Sequence, residues 1–141
     1  MSAYLDASVV LPRLIEEPAS AAVRHHLTTH RQERLISDFT AAEVASALLR
    51  LVRMGLLTDA EGSARLADFD AWRAVTSSPA DVQASDARLA YAYVRRFELV
   101  LRTPDALHLA IARRLDATLV TLDRRLARAA QELGITVEAL A

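Results

Sequence analysis

The sequence contains no cysteine, and all 17 of its positively charged residues are arginine, because lysine is absent too. Without cysteine there are no disulfides, no thiolate zinc sites and no thiol nucleophile. Without lysine there is no Schiff-base chemistry and no Walker-type phosphate loop. Glycine is scarce: the three residues Gly55, Gly62 and Gly134 supply no glycine-rich turn for a nucleotide. The four prolines are scattered, and aromatics make up only 5% of the chain. Nothing resembles a linker, a repeat or a low-complexity tract. No uncharged run approaches the ~18 apolar residues of a membrane span. The opening MSAYLDASVV has an acid at position 6 and no basic segment, unlike a secretory leader. These absences point to a cytoplasmic chain away from the membrane. Formal net charge is −1, so the overall balance does not advertise a nucleic-acid partner.

What is present is a 141-residue chain with 52% hydrophobic residues, enough for one domain spanning residues 1–141 with a real core. Residues 4–6 read as a first strand, followed by helices over 9–15 and from Pro18 to about His30. RLISD, residues 34–38, reads as a strand. Thr40 to Met54 is a helix closed by Gly55, and residues 58–75 form another. Ser77-Ser78-Pro79 reads as a break, with a short strand beside it at 74–76 or near Val82. Residues 85–99 are helical, and Thr103-Pro104 opens a helix to Leu115. TLVTL, residues 118–122, is the clearest strand. A helix over 123–133 stops at Gly134, and residues 135–137 form a last strand. Alternating strands and helices predict an α/β fold: a mostly parallel sheet covered on both faces, with ligands beyond the carboxyl ends of the strands.

Four acids fall near such ends. Asp6 closes the first strand and Asp123 follows TLVTL. Glu43 and Asp105 are placed in the first turns of their helices. Each alone has an ordinary explanation. Asp6 and Asp123 could be N-caps. Thr40-Ala41-Ala42-Glu43 fits a capping box, and Asp105 suits a helix start. Thr58-Asp59-Ala60-Glu61 and Ser85-Asp86 show the same local pattern without a preceding predicted strand. The four together are less ordinary, since caps need no common meeting point.

On the helix over 40–54, Glu43, Ser46, Arg50 and Arg53 fall within an arc of about 80°. The rest of that helix is apolar and continues through Leu56 and Leu57, which suits a homodimer interface. His108 shares a face with Asp105. His26 and His30 stand four apart beside His25, but with no glutamate between them they read as a solvated helix end.

YLDASVV, TAAEVASAL, TPDALHLAIA and TLVTLDRRLARAA resemble, in order and spacing, the motif blocks of PIN-domain ribonucleases, and in particular the VapC toxins of toxin–antitoxin pairs. The resemblance spans essentially the whole chain. It implies a PIN-like three-layer α/β/α sandwich and a metal-dependent endoribonuclease. It implies that Asp6, Glu43, Asp105 and Asp123 bind Mg²⁺ or Mn²⁺, with Ser8 and Thr121 as supporting hydroxyls. Leu126 stands where the family often has an aromatic residue, and it keeps the apolar character. The implied partners are an RNA substrate and a VapB-like antitoxin, with DNA contacted only through that antitoxin.

The residue types suit this chemistry. Hard cations take oxygen ligands, and a divalent ion offsets a carboxylate repulsion of about 4 kcal/mol per pair at ~4 Å and an effective dielectric near 20. Arginines near the site, Arg102, Arg124 and Arg125 by neighbourhood and Arg50 and Arg53 by stripe, are the expected RNA contacts. Rival folds lack their signatures: a receiver domain needs a lysine, and an aspartyl phosphatase needs D-x-D where this chain has Asp6-Ala7-Ser8. The remaining alternative is a catalytically weak module of the same fold that binds RNA or protein.

Overall fold

A computed structural model describes residues 1–140 of the chain. Its elements are β1 (Ala3–Leu5), α1 (Ala7–Leu14), α2 (Ser20–Thr29), β2 (Arg34–Ser37), α3 (Asp38–Arg53), α4 (Asp59–Thr76), β3 (Ser78–Ala80) and α5 (Ala84–Val94). A 3₁₀ turn (Phe97–Leu99), α6 (Thr103–Leu115), β4 (Thr118–Thr121), α7 (Arg124–Glu132) and β5 (Val137–Ala139) follow. The strands form one sheet in the order β3-β2-β1-β4-β5, and every pairing is parallel.

Because strand side chains alternate between faces, each strand feeds two cores. Tyr4, Leu35 and Leu119 turn to one face, against Leu109, Ile111 and Leu126 of α6 and α7. Ala3, Leu5, Ile36 and Val120 turn to the other, against Val9, Val23, Val44, Leu48 and Phe69 of α1–α4. The result is the three-layer α/β/α sandwich that the resemblance implied. The chain leaves β1 toward β2 and β3, then crosses to β4 on the opposite side of β1. The strand order therefore reverses between β1 and β4, and in such sheets the crevice outside the carboxyl ends at that point receives ligands. No helix among the described residues is long and apolar enough to cross a membrane.

Several expectations are corrected. Ser78 and Pro79 of the expected break Ser77-Ser78-Pro79 belong to β3 (Ser78–Ala80), and neither 74–76 nor Val82 is a strand. Pro79 is tolerated because β3 is an edge strand. Thr40 does not cap α3. Ser37 does, accepting from the Thr40 amide at 3.0 Å, and the Thr40 hydroxyl instead donates to the Leu5 carbonyl. Glu43 is therefore not part of a capping box and lies in the second turn. The helix expected over 85–99 ends at Val94, and the chain turns through the 3₁₀ segment to Val100, whose φ is +54°. The last strand sits at 137–139 rather than 135–137. His26 is not at a solvated end; it is buried.

Candidate active site

Asp6 leaves β1 at the reversal point and is 4% exposed. It does cap α1, accepting from the Val9 amide at 3.3 Å on Oδ1. Two hydroxyls hold it more tightly. Ser8 Oγ donates to Oδ1 and Thr121 Oγ1 donates to Oδ2, each at 2.6 Å. Those hydroxyls are fixed in turn by backbone leaving β4: Leu122 N–H donates to Ser8 Oγ at 2.9 Å, and Asp123 N–H to Thr121 Oγ1 at 3.0 Å. The exit of β4 thus sets the orientation of the acid on β1. Among the described residues no arginine or histidine bonds Asp6. Burial pushes its carboxyl above the ordinary carboxylate value, and the Ser8 and Thr121 hydroxyls only partly oppose this.

Asp123 is the N-cap of α7. Arg125 and Leu126 amides both donate to its Oδ1, at 2.9 and 3.2 Å, which leaves Oδ2 outside the cap. Asp105 lies in the first turn of α6. Burial raises its carboxyl, and the negative charge of Asp123 raises it further. Two acids from different segments therefore share one electrostatic neighbourhood.

Glu43 arrives from α3 and is hydrogen-bonded through Oε1 to His108 Nε2. Because a carboxylate only accepts, Nε2 carries the hydrogen. On the other side of the ring, Nδ1 meets the Tyr4 hydroxyl at 2.7 Å. Tyr4 in turn meets Ser37 Oγ at 2.9 Å. Burial, with Asp6 and Glu43 adding to it, pushes the Tyr4 phenol up to about 12 against the Ser37 and Thr40 hydrogen bonds. The phenol thus keeps its proton while it holds Nδ1 of His108 in place. Phe39 packs on His108 with ring centroids 4.9 Å apart. A buried chain of polar groups, Ser37–Tyr4–His108–Glu43, ties α3, β1 and α6 together at the site.

His108 was anticipated by its face. Tyr4, Ser37 and Phe39 were not. The phenol tip at the centre of an apolar strand was the available signal, since a buried tyrosine hydroxyl usually finds a partner.

The donor set is all oxygen, two of its acids are raised by burial, and one is raised further by a neighbouring carboxylate. Such a set suits a hard divalent cation. The four acids do not crowd, however. Among the described residues, the one trio of potential ligands within 4.8 Å of one another is His26, His30 and Glu138.

A groove of about 400 Å³ opens beside the acids, lined by Ser8, Leu11, Glu43, Ser46 and Arg50. A second, of about 300 Å³, brings Arg102 and Arg125 together with Phe97 and Val100, and Phe97 is 87% exposed. Arg53 and Arg124 are exposed and line neither groove. A groove of about 590 Å³ lies at the amino ends of β2 and β3 and contains none of the four acids.

Comparison with known proteins agrees with this architecture. The family model described as PIN domain matches residues 3–132. The chain is 35% identical over 137 residues to Ribonuclease VapC46 of Mycobacterium tuberculosis, covering 95% of this chain and 94% of that protein. Its fold is similar to the crystal structure of VapC20, a sarcin-ricin loop cleaving toxin of Mycobacterium tuberculosis. That match has a TM-score of 0.73 at 16% identity, over 90% of this chain and 94% of the other. It is also similar to DNA-bound VapBC from Salmonella typhimurium, with a TM-score of 0.72 at 16% identity, over 100% and 99% of the two chains.

Proposed function

We infer the function of this chain from its family: it belongs to the PIN domain family and is VapC-like within it. We propose that it is an endoribonuclease that acts as the toxin of a toxin–antitoxin pair, with Mg²⁺ or Mn²⁺ as cofactor. The observation that carries this reading is Asp6: a buried acid at the strand-order reversal, raised by burial, paired with no arginine among the described residues, and aimed by Ser8 and Thr121.

Asp6, Asp105 and Asp123 are the residues that would hold the cation, with Glu43 completing the set. A bound Mg²⁺ or Mn²⁺ supplies Lewis acidity and a water activated for attack on phosphorus. The chain supplies the rest. Ser8 and Thr121 fix the rotamer of Asp6, so that it need not reorganise during reaction. His108, itself held by Tyr4, fixes Glu43 through Oε1 and leaves Oε2 to orient a water or take its proton. Arg50 lines the groove beside Glu43 and suits a phosphate of the bound strand. Arg102 and Arg125 with the exposed Phe97 offer two cations and an aromatic face, a combination that suits single-stranded RNA. Arg124, exposed at the start of α7, is a further phosphate contact.

The antitoxin assignment rests on likeness to VapBC complexes such as those of Salmonella typhimurium and Rickettsia felis. An antitoxin arginine entering the acid cluster would oppose metal binding by charge. A second copy of the chain suits the apolar run at the end of α3, where Leu49, Met54 and Leu56 are at least half exposed. The reading places the pair in the cytoplasm, with DNA reached only through the antitoxin.

The test is turnover of RNA by the purified chain with Mg²⁺ or Mn²⁺, with excess EDTA, and with Asp6→Asn. Cleavage is expected in the first condition alone, and Asp6→Asn should still bind RNA. Full cleavage by Asp6→Asn or in EDTA overturns the assignment. RNA bound by the wild type without turnover would make the chain a binding module of the same fold.

A further inference from the structure

A second cluster of metal-ligating side chains lies on the other side of the sheet from α6 and α7. His26 and His30 sit four residues apart at the end of α2, and Glu138 comes from the edge strand β5, in register with Val120. His26 Nδ1 and His30 Nε2 each stand 3.5 Å from the same oxygen, Glu138 Oε1. The two rings stack with centroids 3.9 Å apart. His26 is buried, and His30 and Glu138 are partly exposed.

His30 Nδ1 lies 3.2 Å from the His26 carbonyl, an acceptor, and 3.1 Å from Thr29 Oγ1, so the ring can carry its hydrogen there. With that tautomer Nε2 turns its lone pair toward Glu138 Oε1, and the 3.5 Å gap between the two acceptors is where a cation would sit. An imidazole that donates its far N–H to a backbone carbonyl is the usual arrangement of a metal-ligating histidine. Ligand atoms ~2.0–2.1 Å from a tetrahedral Zn²⁺ stand about 3.4 Å apart, close to the two N···O separations of 3.5 Å, whereas a charge-assisted N–H···O bond is nearer ~2.7–2.9 Å; the stacked rings turn apart for both lone pairs to meet one ion. Burial also lowers the His26 imidazole, which keeps it neutral and able to ligate.

We propose that His26, His30 and Glu138 form a binding site for a transition-metal ion of the Zn²⁺ type, separate from the acid cluster. Two imidazoles and one carboxylate favour Zn²⁺ over Mg²⁺ or Mn²⁺, while the all-oxygen cluster has the opposite preference. The partial exposure of His30 and Glu138 leaves the fourth position to water. The bound ion clips the end of α2 to the edge strand β5, two elements that meet there through the 3.5 Å contacts. This role does not depend on the nuclease reading.

The experiment is calorimetric titration of Zn²⁺ into the untagged full chain in excess Mg²⁺, with thermal unfolding alongside. The variants are His30→Ala and Glu138→Gln at the cluster and Asp123→Asn at the acids. The wild type and Asp123→Asn should bind one Zn²⁺ and unfold at higher temperature when it is present. Each cluster variant should lose about 10-fold or more in affinity along with the thermal shift, while unfolding like wild type without Zn²⁺. A wild type that binds no Zn²⁺ overturns the proposal, because the contact is then met by a proton on His30. Binding that survives both cluster variants, or is lost in Asp123→Asn alone, overturns it by placing the ion at the acids.

Discussion

Asp6 and Asp86 both show little surface, at 4% and 2% exposure, although Asp6 lies deeper in the protein, and each accepts a backbone amide at a helix start. Their carboxyls nevertheless move in opposite directions. Burial pushes Asp86 up, but Arg114 bonds it through two nitrogens at 2.8 and 3.0 Å and, with the Gln83 amide, brings it below its ordinary value. Burial pushes Asp6 up; the Ser8 and Thr121 hydroxyls, His108 at a distance and the Val9 amide only partly answer it, and none of them is a bonded counter-charge. Glu61 makes the same point at the surface: in a complete capping box with Thr58 it is lowered. Identical local grammar thus yields acids that complete their own structure and acids that lack a counter-charge. A cation-binding site is built from the second kind.

The comparison is broken most forcefully at Asp86. Asp86→Ala leaves Arg114 without its partner and the Gln83 amide without its acceptor, and should cost about 3 kcal/mol of stability by chemical denaturation. RNA cleavage per folded molecule should be unchanged. A cost within experimental error would mean that the Arg114 pair does not distinguish the two acids. At the surface, Thr58→Ala removes one side of the α4 capping box and should cost about 1 kcal/mol, again with activity intact. A loss of cleavage there would show that a capping acid and a site acid cannot be separated by their neighbours.

Much of this was legible in the sequence, for reasons that also explain what was not. TLVTL is a strand because a run of β-branched and apolar residues covered on both faces has few alternatives. Thr103-Pro104 starts a helix because the fixed φ of proline and its missing N–H suit the first turn. Asp6, Asp105 and Asp123 stand at the helix starts the sequence indicated, because an acid at a helix start answers to the residues beside it in the chain. Glu43 was placed by a capping box that does not form: Ser37, three residues before Thr40, is the better cap, and sequence spacing cannot choose between two hydroxyls. β3 was unreadable because three residues containing Pro79 carry no periodicity, and only the edge of an existing sheet makes them a strand. Tyr4 and Glu138 were missed because their partners are 104 residues away at His108, and on α2 across the sheet edge. Periodicity reports the face a residue occupies, not what another segment brings to that face.

The smallest expected effect is the most discriminating. Asp6→Asn removes a charge that burial penalises but keeps an acceptor for Ser8 or Thr121. Without divalent cations at neutral pH the variant should be as stable as wild type or more so, by ~1 kcal/mol or less. The sign follows from the direction of the shift. A carboxyl raised in the folded state contributes its stability below its unfolded value, where it is protonated in both states, and loses that contribution as pH rises through the folded value. Asparagine has no such loss. The advantage of Asp6→Asn should therefore be smallest near pH 4, grow as pH rises above the ordinary aspartate value, and level off once Asp6 is ionised in the folded chain. Asp86 has the reverse dependence: its stabilisation is present above the ordinary value and lost as pH falls through the lowered one. Denaturation midpoints in EDTA across that range measure both slopes. Adding Mg²⁺ or Mn²⁺ should then stabilise the wild type and leave Asp6→Asn nearly unmoved, because only a folded state that binds the ion gains from it. A variant less stable than wild type at every pH, with no slope, would mean that the hydroxyls satisfy Asp6 as fully as Arg114 satisfies Asp86. The acid cluster would then be structural.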